Sequence, residues 1–233
     1  MRRVPIEEIF YSLQGEGKTV GLPAVFVRFA GCNLRCKWCD SKYTWEIDKD
    51  KLKLIDNIIE IIKKYPIPRI IFTGGEPLLY QEAIVDIMKE FLIGKFIPFF
   101  EIETNGTIST VDKFLFENIN LWNISPKSPH SQSASHYTYR TEPVLLNKID
   151  KIVENDNDYI VKFVVGSPND ILFVDGIIVK YRIPSWKVYI MPQGQTRKEY
   201  ISNAKFVWEV CERTGYRFSP RLHIEIWDNK RKV

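Results

Sequence analysis

The sequence predicts an α/β fold in which a mostly parallel sheet of about six strands curls into a partial, open β/α barrel. Three observations lead there. Short, nearly all-apolar segments alternate with segments of helical period from residue 23 to residue 214. Such segments read as strands buried on both faces, as parallel strands are under a layer of helices. The length of 233 residues is enough for one good-sized domain and falls short of the about 250 typical of a closed eight-fold barrel. Finally, the expected strands end in polar or glycine-rich residues, and parallel β/α barrels gather their working groups at the carboxyl ends of the strands. No linker or internal repeat interrupts the pattern, so residues 1–233 read as a single domain.

The elements follow in order. Residues 23–30 (PAVFVRFA) form the first expected strand. Leu54, Ile55, Ile58, Ile59 and Ile62 have helical spacing, which predicts a helix over 52–65 that stops before Pro66. Residues 69–73 are a strand ended by Gly74-Gly75, and 81–92 a helix. Residues 99–104 are a strand ended by Asn105-Gly106, and 111–117 a short helix. Strands are expected at 121–125, 159–165 and 187–191, and helices at 143–154, 169–181 and 197–214. Residues 126–141, rich in Ser, His and Tyr, read as a long loop. Residues 8–17 simply precede the first strand.

Composition sets limits. Hydrophobic residues make up 45% of the chain and aromatic ones 13%, enough for a real core. The net charge of +4, from 33 basic and 29 acidic residues, is dispersed and does not mark a nucleic-acid binder. Lys230-Arg231-Lys232 reads as a solvated tail. Cys211 lies in a helical segment and reads as a small buried thiol. Trp122, Trp186 and Trp208 read as core. There is no secretory signal or membrane-spanning run, which places the chain in the cytoplasm with its thiols reduced.

The other three cysteines sit together. Cys32, Cys36 and Cys39 are spaced C-x3-C-x2-C, with no fourth cysteine near. Three thiolates leave one position of an iron–sulfur cube open to an outside ligand. A Cys3His zinc site completed by His130, His136 or His223 is the alternative. One strand later comes Gly74-Gly75-Glu76-Pro77. Its glycines lack Cβ atoms, so a ligand can approach the backbone closely.

The cysteine spacing, with Trp38 before the third cysteine and followed by Gly-Gly-Glu-Pro, resembles the radical S-adenosylmethionine (radical SAM) enzymes. The expected fold is then the open barrel of that type. The resemblance implies a [4Fe–4S] cluster on Cys32, Cys36 and Cys39, with SAM on the free iron. One electron from the cluster cleaves SAM to a 5′-deoxyadenosyl radical. The turn Gly74, Gly75, Glu76 and Pro77 would hold the amino group of SAM. Trp38, Cys39 and Asp40 would touch its adenine region, Gly75 its methionine, and Ser125, Pro126 and Lys127 its ribose and carboxylate. Glu103 and Gln193 are further candidates to hold it.

A narrower similarity spans the chain. Residues 8–17 (EIFYSLQGEG), the continuation 39–45 (CDSKYTW) and the close 222–233 (LHIEIWDNKRKV) resemble the 7-carboxy-7-deazaguanine synthase family. That family's reaction converts 6-carboxy-5,6,7,8-tetrahydropterin to 7-carboxy-7-deazaguanine with loss of ammonia, on the way to queuosine or archaeosine. SAM is regenerated. The resemblance implies a Mg2+ ion on the hydroxyl of Ser41, which suits a cation that keeps its waters and shares ligands with substrate. Leu13, Gln14 and Gly15 would read the pterin edge. Arg28 would pair with its carboxylate, since a charge between Val27 and Phe29 on a buried strand needs a partner. Thr73, His223 and the terminal carboxylate of Val233 would also reach the substrate. The resemblance also implies an external electron donor such as flavodoxin or ferredoxin, and a homodimer. A glycyl-radical activase and a zinc-stabilised RNA-binding module are the competing readings.

Overall fold

The computed structural model describes residues 2–66, 68–94, 96–132 and 141–231. The sheet runs β3 (Leu52–Leu54), β1 (Arg3–Leu13), β2 (Pro23–Phe29), β4 (Arg69–Gly74), β5 (Phe99–Thr104), β6 (Leu121–Ile124), β7 (Asp158–Val165), β8 (Val188–Pro192) and β9 (Arg217–Phe218). From β2 to β9 every neighbouring pair is parallel, while β1 is antiparallel to both β2 and β3. The order is linear and does not close. The six expected strands are therefore present as β2 and β4–β8.

The expectation missed the strands that flank them. β1 carries Glu7, Glu8 and Ser12 among its apolar residues and does not read as a buried strand; it pairs with β2 from Ile6↔Phe29 to Leu13↔Pro23. β3 takes what read as the first turn of a helix, because the free edge of β1 pairs Leu52, Lys53 and Leu54; α1 is then only Ile55–Ile62. The helices α2 (Gln81–Leu92), α3 (Lys113–Asn118), α5 (Pro168–Tyr181) and α6 (Arg197–Thr214) lie where the periodicity puts them. The expected helix at 143–154 divides into a 3-10 turn, Val144–Lys148, and α4 (Ile149–Val153). A further helix, α7 (Leu222–Trp227), was not anticipated. Among the described residues no helix is long and apolar enough to cross a membrane.

Side chains alternate across the sheet. One face sends Val27, Phe72, Ile102, Trp122, Val161 and Ile190 into the main core beneath the helices, all fully buried. The other, concave face is layered. At its base Ala24, Phe26 and Ile71 form one apolar cluster, and Leu121, Ile160 and Tyr189 another. The same face also carries Arg28, Thr73, Glu101, Glu103, Asn123 and Lys162, with Glu101 level with Ile71 and Leu121 in the register. Cys211 and Trp122 are buried as expected, whereas Trp186 and Trp208 are 61% and 55% exposed. Helical spacing alone did not separate the outward face of α6 from its inward one.

Candidate active site

The cysteine loop leaves the end of β2 and is stitched to the end of β4. Gly75 N donates to Phe29 O at 2.9 Å, and Glu76 N donates to Gly31 O at 2.9 Å. A Cβ on Gly75 would lie 2.0 Å from Gly31 O, and one on Gly74, whose φ is +127°, would lie 2.2 Å from Phe29 O. Gly74 thus makes room for the end of β2, and Gly75 for the backbone of the cysteine loop. Glu76 is fully buried and accepts from Thr104 Oγ1 at 2.7 Å, Asn105 N at 2.8 Å and Leu78 N at 3.0 Å. With both carboxylate oxygens so engaged, Glu76 is a strut between the ends of β4 and β5. Burial still pushes its carboxyl up from the usual range.

Cys32, Cys36 and Cys39 are free thiols. Burial, against the hydrogen bond from Leu34 N and with smaller contributions from Glu76, Cys36 and Cys39, pushes Cys32 up to about 12; burial and Asp40 raise Cys39 too. Among the described residues no three Cys, His, Asp or Glu side chains converge where one ion could sit. That is compatible with a cube, in which each thiolate binds its own iron.

The concave polar layer is closely wired. Gln14 Nε2 donates to Glu103 at 3.0 Å and to Glu101 at 3.3 Å, while its Oε1 accepts from Glu16 N at 3.1 Å. Thr73 Oγ1 donates to Glu103 at 2.7 Å, and Thr19 Oγ1 to Glu101 at 2.8 Å. Gln14 is buried, and both of its amide hydrogens go to carboxylates. In this structure its side chain braces Glu101 and Glu103. Arg28 donates to Glu8 at 2.8 Å; Glu8 also accepts from Tyr43 at 3.2 Å and Arg231 at 3.2 Å. The internal partner of Arg28 is thus Glu8 on the neighbouring strand.

A second network lies nearer the rim. Arg221 donates to Glu16 at 3.1 Å and also reaches Asp40 and the carbonyl of Gly194. Lys162 is buried and paired with Glu16. Against the upward push of burial, Lys162 and Arg221 hold the Glu16 carboxyl far below its usual range. Ser41 Oγ donates to Asp40 Oδ1 at 2.8 Å. His223 packs against Gly15, whose carbonyl accepts from Leu222 N at 2.9 Å, and burial lowers its imidazole. Leu13 pairs with Pro23, at the far end of β2 from the cysteines. The loop that follows Leu13 turns back inward and carries Gln14, Gly15 and Glu16 into the barrel.

Trp38, Pro126 and Lys127 line a small recess of about 10 Å³ with Phe163 and Val164. Lys127 donates to Ser125 at 2.5 Å, and Gln193 lies over Gly166 at the end of β7. Val233 and His136 lie outside the described residues. The structure brings together the cysteines, Gly74–Glu76, Arg28, Thr73, Glu103, Gln14, Ser41 and His223. It adds Glu8, Glu16, Glu101, Lys162 and Arg221. Lys162 and Glu101 are each a charge set between apolar strand neighbours, the signal that singled out Arg28.

Glu101 yields a pH prediction. Burial and then Glu103 raise its carboxyl to about 7, with Thr19, Arg69 and Lys162 pulling the other way. A raised carboxyl binds its proton more tightly folded than unfolded, so it reduces stability as pH rises from about 4.5 through about 7. Relative to the parent, Glu101→Gln is expected to gain stability between pH 5 and pH 8, measured by urea unfolding. A constant difference across that range contradicts this.

The Radical SAM superfamily pattern matches residues 26–170. Over 97% of this chain and 91% of the relative, the sequence is 34% identical to 7-carboxy-7-deazaguanine synthase from Halobacterium salinarum. The synthase from Clostridium acetobutylicum is also 34% identical, over 98% of each chain. Among solved structures, QueE from Escherichia coli superposes with a TM-score of 0.70 at 23% identity, covering 95% of both chains, a likeness of fold. The chain belongs to the radical SAM superfamily and, within it, to the 7-carboxy-7-deazaguanine synthase family.

Proposed function

We propose that this protein is a radical SAM lyase acting, as one domain, on a small molecule. It converts 6-carboxy-5,6,7,8-tetrahydropterin to 7-carboxy-7-deazaguanine with loss of ammonia, assisted by Mg2+. The observation that carries this reading is the full-length similarity to the synthases, whose activity would need a polar pocket beside the cysteine loop.

The residues fit the cofactor. Cys32, Cys36 and Cys39 are free thiols on one loop with no fourth cysteine near, which leaves one ligand position of a cluster open. Bound there, a [4Fe–4S] cluster with SAM supplies hydrogen-atom abstraction. Loading iron on the thiols releases their protons and is favoured at higher pH. Trp38, Ser125, Pro126, Lys127 and Gln193 would contact SAM. Asp40 fixes Ser41's hydroxyl proton, which turns the oxygen's lone pairs outward to a cation. Arg28 meets the substrate carboxylate by sharing or exchanging Glu8. Glu103, Thr73 and His223 face the ring, and Gln14 holds Glu103 in place.

The electron donor is an external carrier such as flavodoxin or ferredoxin, the compartment is the cytoplasm, and the working form is a homodimer. The test is anaerobic reconstitution with iron and sulfide, then SAM, reductant, Mg2+ and the carboxy-tetrahydropterin. Deazaguanine product, followed by its ultraviolet absorbance, is expected. A protein that cleaves SAM and leaves the pterin unchanged overturns the proposal and favours a glycyl-radical activase. Ser41→Ala is expected to raise the Mg2+ concentration for half-maximal rate by about tenfold, the typical cost of one lost metal contact or its orienting partner. An unchanged Mg2+ response removes Ser41 from the site.

A further inference from the structure

The loop after β6 grips one of the three cysteines from outside the cysteine loop. Cys36 and Gln132 form an isolated antiparallel bridge, and Lys37 N donates to Ser131 O at 2.7 Å. Arg35 N donates to Gln132 Oε1 at 2.9 Å. That contact fixes which way the Gln132 amide faces. Its Nε2 then donates to Cys36 Sγ at 3.4 Å and to Ser131 Oγ at 2.7 Å. Ser131 Oγ gives its own proton to Ser128 O at 2.6 Å, so its 3.9 Å approach to Cys36 Sγ is a packing contact. Every polar hydrogen and the oxygen of the Gln132 amide thus have a partner, and Gln132, Ser131 and Cys36 are all buried. Cys32 differs: its sulfur takes a backbone hydrogen bond from Leu34 N at 3.4 Å.

The geometry points to Gln132 as a positioning residue that sets the reduction potential of the cluster through the sulfur of Cys36. An amide hydrogen donated to a ligating thiolate withdraws electron density from it. This stabilises the more negative, reduced cluster and raises the potential. The buried setting strengthens the effect, since water does not compete for the sulfur. Gln132 also lies on the loop that begins with Ser125, Pro126 and Lys127. A shift of that loop where it would contact SAM therefore moves the donor on Cys36. The inference rests on the cluster being held by these three cysteines.

The test compares reconstituted wild type, Gln132→Leu and Gln132→Glu for iron and sulfide content. The reduced-cluster electron paramagnetic resonance signal is then titrated against potential. Gln132→Glu keeps an oxygen for Arg35 N and puts negative charge beside the sulfur. Losing one net hydrogen bond corresponds to about a fivefold change in the reduction equilibrium, or about 40 mV for one electron. Both variants are expected to shift negative by at least that amount, Gln132→Glu the further. Coincident midpoints at equal cluster content overturn the inference. If Gln132→Leu fails to retain iron, Gln132→Glu decides it alone. A wild type that assembles no cluster overturns the cluster reading itself, a result distinct from unshifted midpoints.

Discussion

Arg221→Met is expected to destabilise the protein by about 3–5 kcal/mol, because it breaks a buried charge network by removing one partner. The side chain is 5% exposed and serves three separate segments: Glu16 after β1, Asp40 in the cysteine loop and the Gly194 carbonyl after β8. Methionine matches much of its volume and none of its five donors. Glu16 keeps Lys162, but Asp40 loses its ion-pair partner and Gly194 O is left without this donor. For a chain of this size the loss corresponds to a fall in melting temperature of roughly 10 °C, read by circular dichroism. The pH dependence gives a second check. The carboxyl of Glu16 is lowered in the folded state, so its contribution is present above the normal carboxylate range and lost as pH falls. Without Arg221 that acid loss begins at higher pH. A melting temperature and acid limb equal to the parent's contradict the prediction.

Gly75→Ala is expected to abolish cluster retention while leaving most secondary structure in place. The added Cβ would meet Gly31 O at 2.0 Å, Gly31 C at 2.5 Å and Cys32 N at 3.0 Å. All three are backbone atoms, so no side-chain rotation relieves the clash. The bonds from Gly75 N to Phe29 O and from Glu76 N to Gly31 O must stretch, and the first ligand moves with them. The cost is about 1–3 kcal/mol, the scale of core overpacking. The larger effect is functional, since a displacement near 1 Å at a reacting group costs on the order of a hundredfold in rate. Iron content after reconstitution and the visible absorption of the cluster are the readouts. A full complement of iron contradicts the prediction.

Much of this site was legible one residue at a time. The cysteine triplet, the Gly-Gly-Glu-Pro turn and Arg28 each carry a local signal of spacing, backbone freedom or a misplaced charge, whereas Ser41 was marked only by the family resemblance. The six parallel strands were legible because both of their faces are buried and their residues are almost uniformly apolar. β1 escaped because Glu8 is balanced by Arg28, Tyr43 and Arg231, so a charged residue faces inward. β3 escaped because three residues at a sheet edge are defined by their neighbour. Gln14 drew notice from its motif, yet its part as a brace depends on two carboxylates 87 and 89 residues away in sequence.

The sequence by itself determined the chemistry on offer: three thiols of fixed spacing, an open ligand position, a glycine turn and a run of barrel strands. Those properties follow from residue type and short-range geometry. The tertiary structure alone decided how that chemistry is held. Gly75 packs its bare Cα against the backbone of the cysteine loop. Arg28 answers to Glu8, Arg221 ties three segments together, and Gln132 reaches Cys36 from 96 residues away. Each of these depends on a contact between segments far apart in the chain, and no local pattern encodes the partner across such a distance.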